Sequence, residues 1–166
     1  MRDHGGWRCG RDGLRFGSLL VSFQRFAPSA GEVVERAPQS LGALPVGRGK
    51  ESFLLPLAES EAFWIGAMLE ASEPTRVRLA AQSREGRQSR LAELVGPQTA
   101  VIAGTIRADG RFDIFSRHSL AALDIAADDS RARVELVEPA VYARVTGQPA
   151  PDPLDPAAGY GGWRLP

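Results

Sequence analysis

The most strongly patterned part of the chain is residues 51–71, where two apolar segments flank a short acidic turn. Residues 53–57 form the first segment, residues 62–69 form the second, and residues 58–61 separate them. Pro56 is compatible with an edge strand but not with the middle of a helix. The second segment also lacks a clean helical stripe. The pattern therefore favours a β-hairpin, with a strand followed by a helix as the alternative.

Alternation of apolar and polar positions predicts two more strands, over residues 17–26 and 76–81. In the first of these, Leu19, Val21 and Phe23 fall on one face, because successive side chains of a strand point to opposite sides. Such alternation is typical of strands that bury one face and expose the other.

A second hairpin is predicted within residues 99–117. The loop Ala108-Asp109-Gly110 joins two extended runs, and a three-residue hairpin loop of this kind places its glycine in the left-handed conformation. This register puts Ile106 opposite Phe112.

The remaining segments give weaker patterns. Residues 82–97 and 119–127 each predict a short amphipathic turn of helix. Residues 132–145 predict a bent strand that is interrupted at Pro139. Together the segments amount to about seven strands with short connections, which predicts a mainly β (β-rich α+β) fold. We expect a single-domain antiparallel sandwich or partly open barrel with one or two short helices.

Composition sets the predicted domain boundaries. Residues 1–17, rich in Gly, Arg and Asp, are predicted to be a flexible leader, and residues 147–166, rich in Pro and Gly, a flexible tail. Residues 18–146 then form one β-rich globular domain, since a chain of 166 residues supports one hydrophobic core.

Charge and cysteine content narrow the expected partners. The formal net charge is zero, which removes the usual electrostatic reason to bind nucleic acid. Lys50 is the only lysine beside 19 arginines, a bias typical of high-GC bacterial genomes. Cys9 is the only cysteine, so an internal disulfide and a multi-cysteine metal site are excluded. No apolar stretch reaches the roughly 20 residues that span a bilayer. We expect a soluble, cytoplasmic protein without a cofactor or metal.

One part of the chain resembles a family of uncharacterised bacterial proteins that carry a QR…LGxxPV…FLLPLxxSEAxWI-like pattern. The matching pieces are, in chain order, Gln24-Arg25, Leu41-Gly42, Leu44-Pro45-Val46, residues 53–57, Ser60-Glu61-Ala62 and Trp64-Ile65. The resemblance covers residues 18–81, and its motifs are structural in type. It implies no established activity and no catalytic residue.

Three residues of the acidic turn and its flank are candidate ligand-binding residues: Glu59, Glu61 and Trp64. Two carboxylates on a turn act as an acid/base pair if they share a pocket in which burial separates their pKa values. The alternative is a solvated turn between strands. Trp64 is either a stacking platform for a sugar or base, or a core residue.

A Ser-His-Asp arrangement is the next candidate, because His118 follows Ser116 while Asp113 and Asp124 are close in sequence. A triad is defined by geometry, and the sequence has no nucleophile-elbow motif here. The sequence therefore favours a surface histidine, and we assign no catalytic residue.

Two further groups of residues are candidates for binding a metal ion or an acidic partner. His4 and Cys9 supply two metal ligands, whereas a structural zinc site takes about four. Arg84, Arg87 and Arg90 form a basic stripe only if their segment is helical, and a solvated loop is the favoured interpretation.

The predicted tail contains the sequence GYGGW at residues 159–163, which is either a short linear motif or a segment that folds back on the domain. Our first hypothesis is a non-enzymatic interaction or structural module that binds another protein, or itself, through this tail and the Glu59/Glu61 turn. The alternative is a small-molecule-binding or enzymatic barrel whose pocket is lined by Glu59, Glu61 and Trp64.

Overall fold

The computed structural model describes residues 5–28 and 33–154, and within them the chain forms fourteen strands and one helix. The strands are β1 (Arg8–Gly10), β2 (Gly13–Phe16), β3 (Leu19–Phe26), β4 (Val33–Val34), β5 (Gly47–Arg48), β6 (Phe53–Pro56), β7 (Ala62–Leu69), β8 (Arg76–Ser83), β9 (Gln88–Val95), β10 (Gln98–Ile102), β11 (Thr105–Ile106), β12 (Phe112–Asp113), β13 (Leu120–Ala127) and β14 (Ser130–Val137). The helix is α1 (Pro139–Thr146). Strands make up 51% of the chain and helix 5%, so the predicted mainly β fold class is confirmed.

Two large sheets contribute to one core. A five-stranded antiparallel sheet has the order β1-β2-β3-β7-β10, and a six-stranded sheet has the order β5-β6-β14-β13-β8-β9. The six-stranded sheet is antiparallel except for the parallel pair β6 and β14. Val21 and Ile65 of the first sheet belong to the same buried cluster as Leu79 and Val134 of the second. A small sheet, β11-β12-β4, lies beside them, and the described strands do not close into a barrel.

The two alternating segments form the strands expected of them. In β3, Leu19, Val21 and Phe23 are buried and the residues between them are partly exposed. In β8, Val77 and Leu79 are likewise buried on one face. Periodicity identifies these strands because each one places one face against the core and the other towards solvent.

Residues 51–71 contain two strands, β6 and β7, as the preferred interpretation required, but they do not form a hairpin. Strand β6 pairs with β14 and β5, whereas β7 pairs with β3 and β10 in the other sheet. The hairpin pairing is therefore wrong, and residues 57–61 cross from one sheet to the other. Local pattern identifies a strand, but contacts distant in sequence select its partner.

Three weaker predictions are also wrong. The segment 82–97 contains all of β9, and 119–127 contains β13, where the sequence predicts helical turns. Both strands carry a register shift, and such a β-bulge interrupts the period of two by which a strand is recognised. In the predicted bent strand over 132–145, residues 132–137 do lie in β14, but Pro139 begins α1, and proline is favoured in the first turn of a helix. This eight-residue helix is too short to cross a membrane, and the described residues contain no helix that could.

Part of the predicted leader belongs to the five-stranded sheet. Strands β1 and β2 pair with each other, and β2 pairs with β3. Trp7 is 1% exposed, and its ring lies 4.8 Å from that of Phe16. Strands this short show no sustained period, so composition alone did not distinguish them from a flexible segment. Residues 1–4 lie outside the described part of the chain.

The predicted hairpin at 108–110 is confirmed. Ile106 pairs with Phe112, and Gly110 has a φ of 84°. The loop is closed by Arg107 and Arg111, whose backbone groups are hydrogen-bonded at 2.8 Å. Hydrogen bonds from Arg111 hold the pKa of Asp109 below its ordinary value.

Replacing Gly110 by valine should lower the free energy of unfolding by about 1 to 3 kcal/mol, because a β-branched residue is strongly disfavoured at positive φ. An added Cβ meets no atom within 4 Å, so the cost is backbone strain and not a clash. Gly10→Val is the matched control, since Gly10 lies in β1 without a positive φ and is equally uncrowded. Urea denaturation measures both, and equal midpoints for the two variants would contradict the assignment.

Candidate functional site

The two glutamates of the acidic turn differ in their burial. Glu59 is exposed, whereas Glu61 is 3% exposed. Its Oε1 lies 3.5 Å from Nη1 of Arg25 and accepts a hydrogen bond of 3.1 Å from the backbone N–H of Leu154. Arg25 Nη1 also donates to the backbone oxygen of Asp152 at 2.9 Å. Arg25 and Glu61 thus hold the first part of the predicted tail against the domain.

Trp64 is a buried side chain with a satisfied polar atom. It is 5% exposed and packs with Phe26, Ala62 and Ile114 in a small cluster separate from the main core. Its indole Nε1 donates to the backbone oxygen of Pro38 at 2.9 Å. The polar atoms of Glu61 and Trp64 therefore bind different segments of the chain. A pocket shared by Glu59, Glu61 and Trp64 stays a prediction.

Asp113, Ser116 and His118 line one cavity of 430 Å³. In the described part of the chain, however, no hydrogen bond connects the three. Asp113 pairs with Arg107 at 3.3 Å, and the Ser116 hydroxyl lies 3.4 Å from that of Ser119. A nucleophile and its base need a separation of about 2.6 to 3.2 Å. The described residues of this cavity therefore form no proton relay, and its wall also includes the apolar residues Phe115 and Leu120.

The other aspartate considered for a triad, Asp124, lies on the outer face of the six-stranded sheet, where it pairs with Arg133. Of the two candidate metal ligands, His4 lies outside the described residues, and so does the 159–163 motif. Cys9 is a partly buried free thiol. Within residues 5–28 and 33–154, no group of three or more metal-binding side chains is suitably placed.

The three arginines at 84, 87 and 90 do not form a stripe. Arg84 and Arg87 lie in the turn between β8 and β9, where the Arg84 guanidinium donates to the backbone oxygen of Arg117. Arg90 lies on β9. Only Arg90 reaches the outer face of the six-stranded sheet.

That outer face carries a groove. Its residues point outward because side chains alternate between the two faces of each strand. Buried residues of β8, β13 and β14 point to the core, so the residues between them point outward. One row across the sheet runs Glu93, Arg78, Ala126, Arg131, since each is the pairing partner of the next. The adjacent row runs Arg90, Ala80, Asp124, Arg133.

Two alanines form the floor of this groove, which has a volume of 810 Å³. Ala126 separates Arg78 from Arg131, and Ala80 separates Arg90 from Asp124. Strands two apart are about 10 Å from each other, so the small Ala126 leaves a gap between two long basic side chains. We call the groove along the eight residues of these two rows the arginine groove.

The charges of the arginine groove are only partly balanced. Arg133 lies 3.2 Å from Asp124 and 3.7 Å from Glu135, and its guanidinium also donates to Gln82. Glu93, at the end of one row, pairs with Arg76 at 3.0 Å.

Three groove arginines, Arg78, Arg90 and Arg131, form no ion pair with any described residue. Of the acidic residues that line the groove, only Glu51 is likewise without an ion pair among the described residues. Four arginines and three acidic residues line the groove, so it carries an excess of one positive charge, although the net charge of the whole chain is zero.

Sequence reasoning did not find this site. The alternation over 76–81 predicted the strand that presents Arg78, and the pattern Arg-Ala-Arg at 131–133 is visible in the chain. Strands β13 and β14 are joined by a two-residue turn, but no local signal shows that β8 lies beside β13. The nearness of Arg78 and Arg131 follows from sheet order alone.

Comparison with protein-family models, with curated proteins and with solved structures finds no match for this chain.

Proposed function

We propose that this chain is a non-enzymatic interaction module, and that its arginine groove binds an acidic segment of a partner protein. One observation carries the proposal: Arg78, Arg90 and Arg131 surround a floor of small apolar side chains and form no ion pair within the described chain. The planar guanidinium presents several donors in a geometry that matches a carboxylate.

The shape of the groove supports a peptide as the ligand. It is open and follows several neighbouring strands, so an extended segment with carboxylates at intervals fits it better than one compact molecule does. Rigid strands also fix the arginine backbones, which lowers the entropic cost of binding. Arginine is among the residues that most often dominate the binding energy of protein interfaces.

Fluorescence anisotropy with a labelled hexaglutamate peptide tests the proposal. Arg78→Gln and Arg131→Gln should each weaken binding about tenfold, because each removes one charge-assisted contact. Arg15→Gln is the matched control. Arg15 is an exposed strand arginine of equal charge in the other large sheet, and it forms no ion pair with any described residue.

The specificity controls are a hexalysine peptide and a salt series. Hexalysine should not bind, and hexaglutamate binding should weaken as salt screens the charges. Equal losses in Arg15→Gln and Arg78→Gln would show unspecific attraction and would overturn the assignment of the groove. Absence of hexaglutamate binding to the unmodified protein would overturn the proposed function itself.

A further inference from the structure

The outer face of the five-stranded sheet carries an exposed apolar patch. Alternation places Gly66 and Met68 on this face of β7, because the residues next to them in the strand belong to the main core. Leu20 of β3 pairs with Met68, and Val101 of β10 pairs with Gly66. Met68 is 41% exposed and Val101 is 46% exposed. We call Leu20, Gly66, Met68 and Val101 the outer patch.

Gly66 leaves backbone accessible at the centre of the outer patch. It is partly exposed and lies between Trp64 and Met68 on the same face of β7. A Cβ at this position would lie 3.0 Å from the Ser22 hydroxyl oxygen and 3.5 Å from the Trp64 ring, so these two side chains flank the exposed backbone. A glycine inside a strand often marks a place where another group approaches the backbone closely. The flat apolar face of an aromatic ring is suited to cover it.

The chain's own tail is long enough to reach this place. Leu154 is held at the start of β7, where its backbone N–H donates to Glu61. Gly66 lies five residues further along the chain from Glu61, about 17 Å away, and the path around the end of the sheet adds roughly 5 to 10 Å. Six residues lead from Leu154 to Tyr160 and span at most about 22 Å, whereas nine lead to Trp163 and span at most about 32 Å. Trp163 therefore reaches Gly66 with chain to spare, and Tyr160 does not.

Residues 155–166 lie outside the described part of the chain. We propose that Trp163 folds back onto the outer patch of its own chain, with the indole ring over Gly66 and in contact with Met68 and Val101. Docking removes apolar surface of the ring and of the outer patch from water. The contact of Leu154 with Glu61 already holds the tail nearby, so the docking is intramolecular and has a high effective concentration.

This docking is independent of the arginine groove, which lies on the other large sheet. The outer patch is a second surface of the fold, and its occupant is the aromatic end of the predicted tail.

Methyl NMR tests the docking directly, because the chain has only two methionines, Met1 and Met68. In protein labelled with ¹³C-methyl methionine, the Met68 methyl should show a nuclear Overhauser contact to an indole ring. Trp163→Ala should abolish this contact and shift the Met68 signal, because it removes the ring current of the docked indole. Tyr160→Ala is the matched control: it removes an aromatic ring three residues earlier and should leave the Met68 signal in place.

An unmoved Met68 signal in Trp163→Ala would overturn the proposal, and an equal shift in Tyr160→Ala would overturn the assignment to Trp163. The Met68 shift should also be independent of protein concentration. Its loss on dilution would show that the tail of a second copy occupies the outer patch, and would overturn docking within one chain.

Val101→Asp tests the same contact from the side of the sheet. A carboxylate in the apolar contact should release the tail, so trypsin should cleave the Arg164–Leu165 bond about tenfold faster, as followed by mass spectrometry. Val95→Asp is the matched control, since Val95 is likewise an exposed valine of an edge strand but belongs to the other large sheet. It should be cleaved like the unmodified protein, and equal cleavage of the two variants would overturn the proposal.

Discussion

Replacing Trp64 by alanine should lower the free energy of unfolding by about 3 to 5 kcal/mol, the usual cost of removing a large buried aromatic side chain. Trp64 is 5% exposed and fills the small cluster with Phe26 and Ile114, on the side of the five-stranded sheet away from the main core. The alanine variant also leaves the backbone oxygen of Pro38 without its donor. Urea denaturation measures the change.

The conservative variant Trp64→Phe separates packing from hydrogen bonding. It keeps most of the buried ring and should cost about 1 kcal/mol, the net value of one hydrogen bond plus a small volume change. A loss below about 1 kcal/mol in Trp64→Ala would place the residue among ordinary surface positions. That result would reject the core assignment and favour the stacking-platform interpretation.

Replacing Glu61 by alanine should lower the free energy of unfolding by about 3 kcal/mol or more, because one partner of a buried ion pair remains without its counter-charge. The Arg25 side chain is 12% exposed and that of Glu61 is 4% exposed, so water solvates the remaining unpaired charge only weakly. Arg25 Nε already lacks a hydrogen-bond partner among the described residues. The substitution also removes the acceptor of the Leu154 N–H, so amide exchange at Leu154 should quicken.

Glu59→Ala is the matched control, since it removes the same group two residues earlier at an exposed position. Its effect should stay within about 0.5 kcal/mol. Arg25→Ala combined with Glu61→Ala should cost less than the sum of the single variants, because neither charge is then left alone. An additive double variant, or equal effects of Glu59→Ala and Glu61→Ala, would contradict the buried pair.

The amino-acid sequence by itself determined that the chain is built mainly of strands. Strands β3 and β8 are recognisable because each has one buried and one solvated face, so apolar and polar residues alternate along them with a period of two. The turn at Gly110 was recognised because the position requires a positive φ. These features depend on residues that are close in sequence.

Tertiary structure alone decided which strands distant in sequence are neighbours, and so decided the sites. The two apolar segments that flank the acidic turn belong to different sheets. β-Bulges in β9 and β13 interrupt the alternation by which a regular strand is recognised. Glu61 and Trp64, three residues apart in the sequence, bind Arg25 and Pro38 in separate contacts. Arg78 and Arg131, distant in sequence, flank one alanine. The physical reason is that hydrogen bonds between strands do not depend on side-chain identity, so sheet order is selected by the packing of the whole core.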